Sequence, residues 1–163
     1  MGFTFAVITC SDKCSKGERE DTSGKAIIDY LKNLGYEKVF YKIVPDEKEI
    51  IKNCIVEASK ANANLILTTG GTGFYKRDVT PEATLEIINK LTPGISELIR
   101  YETGKLNKRS YLSRGISGIY QNSLIINLPG SQRAVLECLD ALVPILEHGL
   151  NILLENENEC GKM

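Results

Sequence analysis

The sequence predicts an α/β protein: a three-layer, mostly parallel sheet with helices on both faces. Three observations carry that expectation. Short β-rich runs alternate with amphipathic helical stretches through most of the chain, the pattern of a parallel sheet covered on both sides. Two of the runs, Leu65 to Thr68 and Ser123 to Leu128, are almost continuously apolar, as strands buried on both faces are. Glycine- or proline-rich turns follow the strands rather than interrupt them.

Phe3 to Thr9 is apolar and β-rich with no helical period, and predicts the first strand. A polar loop, Ser11 to Gly17, leads to a helix starting near Thr22 or Ser23, with Ala26, Ile27, Tyr30, Leu31 and Leu34 as its buried stripe. Gly35 ends it, as a glycine just past a helix end does. Val39 to Val44 is the second strand, stopped by Pro45. Asp46 and Glu49 have the spacing of a capping box for a second helix carrying Ile50, Ile51, Cys54, Ile55 and Ala58. The third strand, Leu65 to Thr68, delivers the loop Thr69-Gly70-Gly71-Thr72-Gly73.

Thr80-Pro81-Glu82 opens a third helix with a cap hydroxyl, a first-turn proline and an acid, and Thr84, Ile87, Ile88 and Leu91 form its inward stripe. Thr92-Pro93-Gly94 breaks the pattern before a fourth helix with Ile95, Leu98 and Ile99, reaching about Leu106. The segment from Lys105 to Arg114 is basic, either a solvated face or a contact for an anionic ligand. Gly115 to Tyr120 and Ser123 to Leu128 read as a hairpin joined by Gln121-Asn122. Pro129-Gly130-Ser131 ends the second arm, and Ser131 caps the last helix. Pro144 is expected to break or kink that helix near its middle. No repeat or linker interrupts the chain, so residues 1–154 read as one domain and 155–163 as a polar tail.

Bulk composition limits the function classes. Twenty Lys+Arg against 21 Asp+Glu give a net charge of −1, so no broad basic field exists to hold nucleic acid. No run of about 18 apolar residues suggests a membrane span, and no basic, cleavable leader is apparent. The five cysteines, odd in number and irregular in spacing, fit reduced thiols in a cytoplasm and complete no zinc motif. The single His148 reads as a surface or helix-end residue.

Chemistry concentrates at one edge. Right-handed crossovers bring the carboxyl ends of parallel strands together, where open α/β sheets bind ligands. Ser11-Asp12, Pro45-Asp46, the loop Thr69 to Gly73 with Arg77-Asp78, and Pro129-Gly130-Ser131 all fall there. Glycine-rich N–H groups and helix N-termini favour phosphate; the alternative is a plain glycine-rich turn. Asp46 and Asp78 would repel a polyphosphate unless a divalent cation intervened, and carboxylates plus phosphate oxygens suit Mg²⁺. A nucleoside triphosphate with Mg²⁺ satisfies both sets, with Lys76 and Arg77 adding positive charge. Asp46 reads equally as a helix cap, and Asp78 as a turn acid. No Walker motif or dinucleotide fingerprint is present.

The stretches Thr68-Thr69-Gly70-Gly71-Thr72-Gly73, Arg77-Asp78-Val79-Thr80-Pro81-Glu82-Ala83 and Asn127-Leu128-Pro129-Gly130-Ser131 resemble the Mog/MoaB family of molybdenum cofactor biosynthesis. Ser11-Asp12, Pro45-Asp46-Glu47 and Leu112-Ser113-Arg114 agree with it, and the resemblance spans all but the tail. The resemblance implies the Mog-like fold and a molybdopterin adenylyltransferase, which joins AMP from Mg-ATP to the terminal phosphate of molybdopterin and releases pyrophosphate. It implies Asp46 and Asp78 as the catalytic and metal-binding aspartates. It implies Ser11, Asp12, Thr69 to Gly73, Arg77, Pro129, Gly130 and Ser131 as nucleotide- or pterin-binding residues. It further implies a homotrimer and hand-over of product to a molybdate-insertion enzyme. Two alternatives stand beside it: a non-catalytic MoaB-type pterin carrier, and another nucleotide enzyme on the same fold, such as the related domain of competence-damage proteins.

Overall fold

A computed structural model describes residues 2–155; the expected tail lies almost wholly outside them. The strands are β1 (Thr4–Cys10), β2 (Glu37–Val44), β3 (Leu65–Thr69), β4 (Lys90–Leu91), β5 (Ser117–Tyr120) and β6 (Ser123–Leu128). The helices are α1 (Asp12–Ser15), α2 (Thr22–Asn33), α3 (Lys48–Lys60), α4 (Thr80–Leu85), α5 (Pro93–Leu106) and α6 (Gln132–Leu153), with a 3-10 turn at Lys108–Leu112.

One six-stranded sheet has the order β2-β1-β3-β6-β5-β4. β2, β1, β3 and β6 pair in parallel, and β5 runs antiparallel to both β6 and β4. The carboxyl ends of four adjacent strands therefore share one edge. The strand period of two divides each apolar run between faces. Phe5, Val7, Leu65, Leu67, Leu124, Ile126 and Leu128 pack with Ile27, Leu31, Leu139 and Leu146 of α2 and α6. Ala6, Ile8, Ile66 and Ile125 pack on the other side with Ile51, Cys54, Ile55 and Ala58 of α3 and Ala83 of α4. Both faces being covered, the strands need no polar side, which is why their sequences run apolar without alternation.

Local signals behave unevenly. Gly35 follows α2 in the left-handed region at φ +86°, and the Ser131 hydroxyl accepts from the Ala134 N–H at 3.2 Å to cap α6. Four expectations are corrected. The Ser11 to Gly17 loop contains a turn of helix, α1, because the Ser11 hydroxyl accepts from the Cys14 N–H. The capping box does not form: α3 starts at Lys48 with Glu47 at its cap and no side-chain capping bond, since the Asp46 carboxylate is engaged elsewhere. The third helix stops at Leu85, short of the stripe expected to Leu91. Its continuation is captured by the sheet, with the Asn89 and Thr92 N–H groups bonding Ile119 and Ser117 carbonyls at 2.7 and 3.0 Å. The result is β4, an edge strand with no sequence signal of its own. Finally, α6 runs unbroken through Pro144; Val135, Leu139, Leu142, Leu146 and Leu150 bury one continuous stripe, and that packing outweighs the missing proline N–H. His148 lies on this helix, exposed but short of its end. No helix among the described residues is long and apolar enough to cross a membrane.

Candidate functional site at the carboxyl edge

β1 and β2 end in loops that hold each other. The Ser11 N–H donates to the Val44 carbonyl at 2.9 Å. The Asp12 N–H donates to Asp46 Oδ2 at 3.0 Å, and the Asp46 N–H donates back to Asp12 Oδ1 at 3.1 Å. Arg77 closes the arrangement with a two-pronged grip on Asp12, Nε to Oδ2 at 2.6 Å and a second guanidinium N–H to Oδ1 at 3.0 Å. The Arg77 hydrogen bond holds the Asp12 carboxyl below the ordinary carboxylate value. Asp46 goes the other way: burial raises it, opposed by the Asp12 N–H and reinforced by the charges of Asp12 and Asp78.

The loop after β3 is shaped by backbone that side chains would obstruct. Gly70 and Gly71 lie at φ +95° and +68°, a region costly for other residues. A Cβ on Gly70 would sit 2.3 Å from the Cys10 carbonyl oxygen, and one on Gly71 would sit 2.2 Å from Thr80 Oγ1 and 3.2 Å from Asp46 Oδ1. Beneath Gly71, then, two oxygens converge. Both Asp46 Oδ1 and Thr80 Oγ1 are buried without a hydrogen-bond partner among the described residues. Asp78 Oδ2 accepts from the Tyr75 N–H at 3.0 Å and lies 2.7 Å from where a Gly73 Cβ would stand.

Arg114 clasps this loop from outside. Its N–H bonds the Thr72 carbonyl at 2.9 Å. Its guanidinium bonds the carbonyls of Gly73 at 2.8 Å and Asp78 at 2.7 Å and pairs with Glu82. On the far side, Thr69 Oγ1 donates to the Pro129 carbonyl at 2.7 Å, and Gly130 packs against Gly70.

Two cavities open along this edge and meet at Thr72 and Gly73. The larger, about 640 Å³, is lined by Ser11, Asp46, Thr69 to Gly73, Asp78, Gly130 and Ser131 among others. The smaller, about 280 Å³, includes Pro129 with Ile99, Arg100, Thr103 and Leu112. Most of the residues singled out from sequence thus border one space. Asp12 and Arg77 do not: they brace it from behind, and the Arg77 guanidinium is occupied by Asp12 and Glu47 rather than turned toward the cavity.

Sequence reasoning missed Asp21, a buried carboxylate in the wall of the larger cavity. It caps α2 through the Gly24 N–H at 2.9 Å and accepts from the hydroxyls of Thr9, Ser23 and Tyr41. Its signal was an Asp directly before the helical stripe, a favoured cap. Arg19 was also missed; among the described residues it is the one cationic side chain lining the larger cavity, against Glu20, Asp21, Asp46 and Asp78. Burial pushes the thiols of Cys10 and Cys138, which line the two cavities, up to about 12.

Fold and site together describe an open α/β domain with a two-part, acid-lined cleft at the carboxyl ends of its parallel strands. Residues 6–148 match the family described as a probable molybdopterin binding domain, and the chain belongs to that family. It is 40% identical over 155 residues to the molybdopterin adenylyltransferase of Helicobacter pylori strain 26695, covering 93% of this chain and 88% of that protein. It is 41% identical to the molybdenum cofactor synthesis protein cinnamon of Drosophila melanogaster, covering 92% of this chain but 25% of that longer protein. Among solved structures, the molybdopterin biosynthesis enzyme MoaB of Thermus thermophilus superposes with a TM-score of 0.88 at 40% identity, covering 94% of this chain and 97% of that one.

Proposed function

We propose that this chain is a molybdopterin adenylyltransferase of molybdenum cofactor biosynthesis, transferring AMP from Mg-ATP to the phosphate of molybdopterin with release of pyrophosphate. One observation carries the reading: the buried, unpartnered Asp46 Oδ1 faces the underside of Gly71, with Asp78 beside Gly73 in the same cavity wall. A carboxylate oxygen left without a donor at such a place suits a cation brought in with its ligand.

The residues present fit Mg²⁺. No group of three or more His, Cys, Asp or Glu among the described residues could hold a metal ion, so phosphate oxygens would complete the shell, the usual arrangement for this ion. Asp46 and Asp78 would hold it, and bound there it would neutralise charge developing on pyrophosphate. The chain's own residues do the remainder. Two cavities meeting at Thr72 and Gly73 give two phosphate-bearing substrates one seam at which to meet, and positioning is the main demand of phosphoryl-type transfer. The Asp12–Asp46 backbone exchange and the Arg77 grip fix one acid; the Asp78–Tyr75 bond fixes the other. Ser11, Gly130 and Ser131 line the nucleotide side, and Pro129 the adjoining pocket.

The protein acts in the cytoplasm as a homotrimer and passes the adenylylated pterin to a molybdate-inserting partner. The longer relatives, of which this chain matches about a quarter, support such a partnership. Incubating the protein with molybdopterin and Mg-ATP tests the reading. Stoichiometric pyrophosphate is expected. Tight pterin binding without pyrophosphate would refute it in favour of a carrier, and sedimentation tests the trimer.

A further inference from the structure

Three carbonyls of the glycine loop converge on one residue outside both cavities. Arg114 binds the Thr72 carbonyl through its backbone N–H and the Gly73 and Asp78 carbonyls through its side chain. Neither cavity includes Arg114 in its wall. In a trans peptide the carbonyl and the following N–H point in opposite directions, and these peptides are trans. Drawing the Thr72 and Gly73 carbonyls toward Arg114 therefore turns the N–H groups of Gly73 and Phe74 away from it. Neither N–H has an acceptor among the described residues.

We infer that Arg114 is a positioning residue that orients the Gly73 and Phe74 N–H groups as a paired phosphate-binding site beside the seam of the two cavities, both of which Gly73 lines. This rests on the nucleotide reading above. Two adjacent backbone donors make an anion-binding concavity, and preorganised donors are effective because they do not reorient when charge arrives. The backbone N–H of residue 114 holds the Thr72 carbonyl whatever its side chain, but the planar fork of arginine holds the Gly73 and Asp78 carbonyls and Glu82 at once, which a lysine ammonium on a single stem does not reproduce, so the Phe74 half of the pair depends on the arginine.

The probe is inorganic pyrophosphate with Mg²⁺, added to the full chain and followed by calorimetry and by ¹H–¹⁵N spectra. The Gly73 and Phe74 amide protons are expected to shift furthest downfield. Arg114→Lys is expected to bind pyrophosphate about tenfold more weakly or worse, and to lose kcat more than it raises the KM for pterin, with a urea midpoint close to the parent's. Glu82→Gln removes the ion pair but leaves both carbonyl bonds, so it should bind pyrophosphate as the parent does. Still Gly73 and Phe74 resonances in a parent that binds pyrophosphate overturn the inference alone. So does Arg114→Lys binding within twofold of the parent, or a tenfold loss in Glu82→Gln. A parent that binds neither pyrophosphate nor Mg-ATP overturns the nucleotide reading with it.

Discussion

Gly71→Ala is the substitution for which the structure supplies the most arithmetic. Gly71 sits at φ +68°, where an L-residue pays about 1–2 kcal/mol. The new Cβ would lie 2.2 Å from Thr80 Oγ1, and Thr80 is fully buried, so relief requires moving packed atoms, which costs about 1–3 kcal/mol. The sum is about 2–5 kcal/mol. Only the second part depends on the hydroxyl. In a Thr80→Ala background, Gly71→Ala should cost about 1–2 kcal/mol, the backbone part alone. Thr80→Ala by itself removes a fully buried methyl along with the hydroxyl and should cost about 1 kcal/mol, which the cycle subtracts. A double-mutant cycle in urea, read at constant m, isolates the coupling. The expected value is about 1–3 kcal/mol. A coupling below about 0.5 kcal/mol would refute the picture of a glycine kept to leave room for the Thr80 and Asp46 oxygens.

Asp46→Asn is expected to lower adenylylation by about a hundredfold or more while raising urea stability at neutral pH, since the amide replaces a carboxylate whose charged form burial disfavours. Burial holds the folded pKa of Asp46 above its ordinary 3.8, so the parent loses stability as pH rises from 3.8 through that folded value, and the ionisation part of the variant's advantage should vanish below pH 3.8. Arg77→Ala should cost less than about 1 kcal/mol because the pair with Asp12 is partly exposed, and less still in 1 M salt. Because Asp12 titrates below 3.8 in the fold, that cost should be present above pH 3.8 and disappear as pH falls through the folded value. Pro144→Ala restores an N–H opposite the Asp140 carbonyl within an unbroken helix, and should raise the urea midpoint by the equivalent of about 1–3 kcal/mol.

The parts of the fold legible in sequence are those where burial is two-sided or a cap acts alone. β1, β3 and β6 announce themselves because helices cover both faces, and Ser131 because its hydroxyl has one local donor to meet. Illegible features depend on partners far along the chain. Ile87, Ile88 and Leu91 keep helical spacing, yet the chain there is taken up by β5. Asp46 has the form of a cap, yet its oxygens answer to the Asp12 N–H and to a place under Gly71. The same holds at the cleft. The carboxyl-edge loops could be placed in advance because crossover handedness gathers them. The inward tie of Arg77 to Asp12 and the grip of Arg114 on the glycine loop could not, since they join residues 65 and 41 positions apart.

The position of β6 has a consequence for how the chain comes into being. It is the last made of the six strands described, yet it occupies the interior of the sheet between β3 and β5. Its Asn127 meets Thr68 of β3 across 59 residues. At ribosomal rates that interval takes roughly 3–12 s. Through it, β2, β1 and β3 can associate while β3 presents a bare apolar border. The glycine loop at the end of β3 also lacks its neighbour during that interval, because the Gly70 N–H closes on the Leu128 carbonyl of β6. The nascent domain thus acquires its cleft only once β6 has been made, and a chain cut short before β6 leaves an adhesive strand margin rather than a smaller working domain.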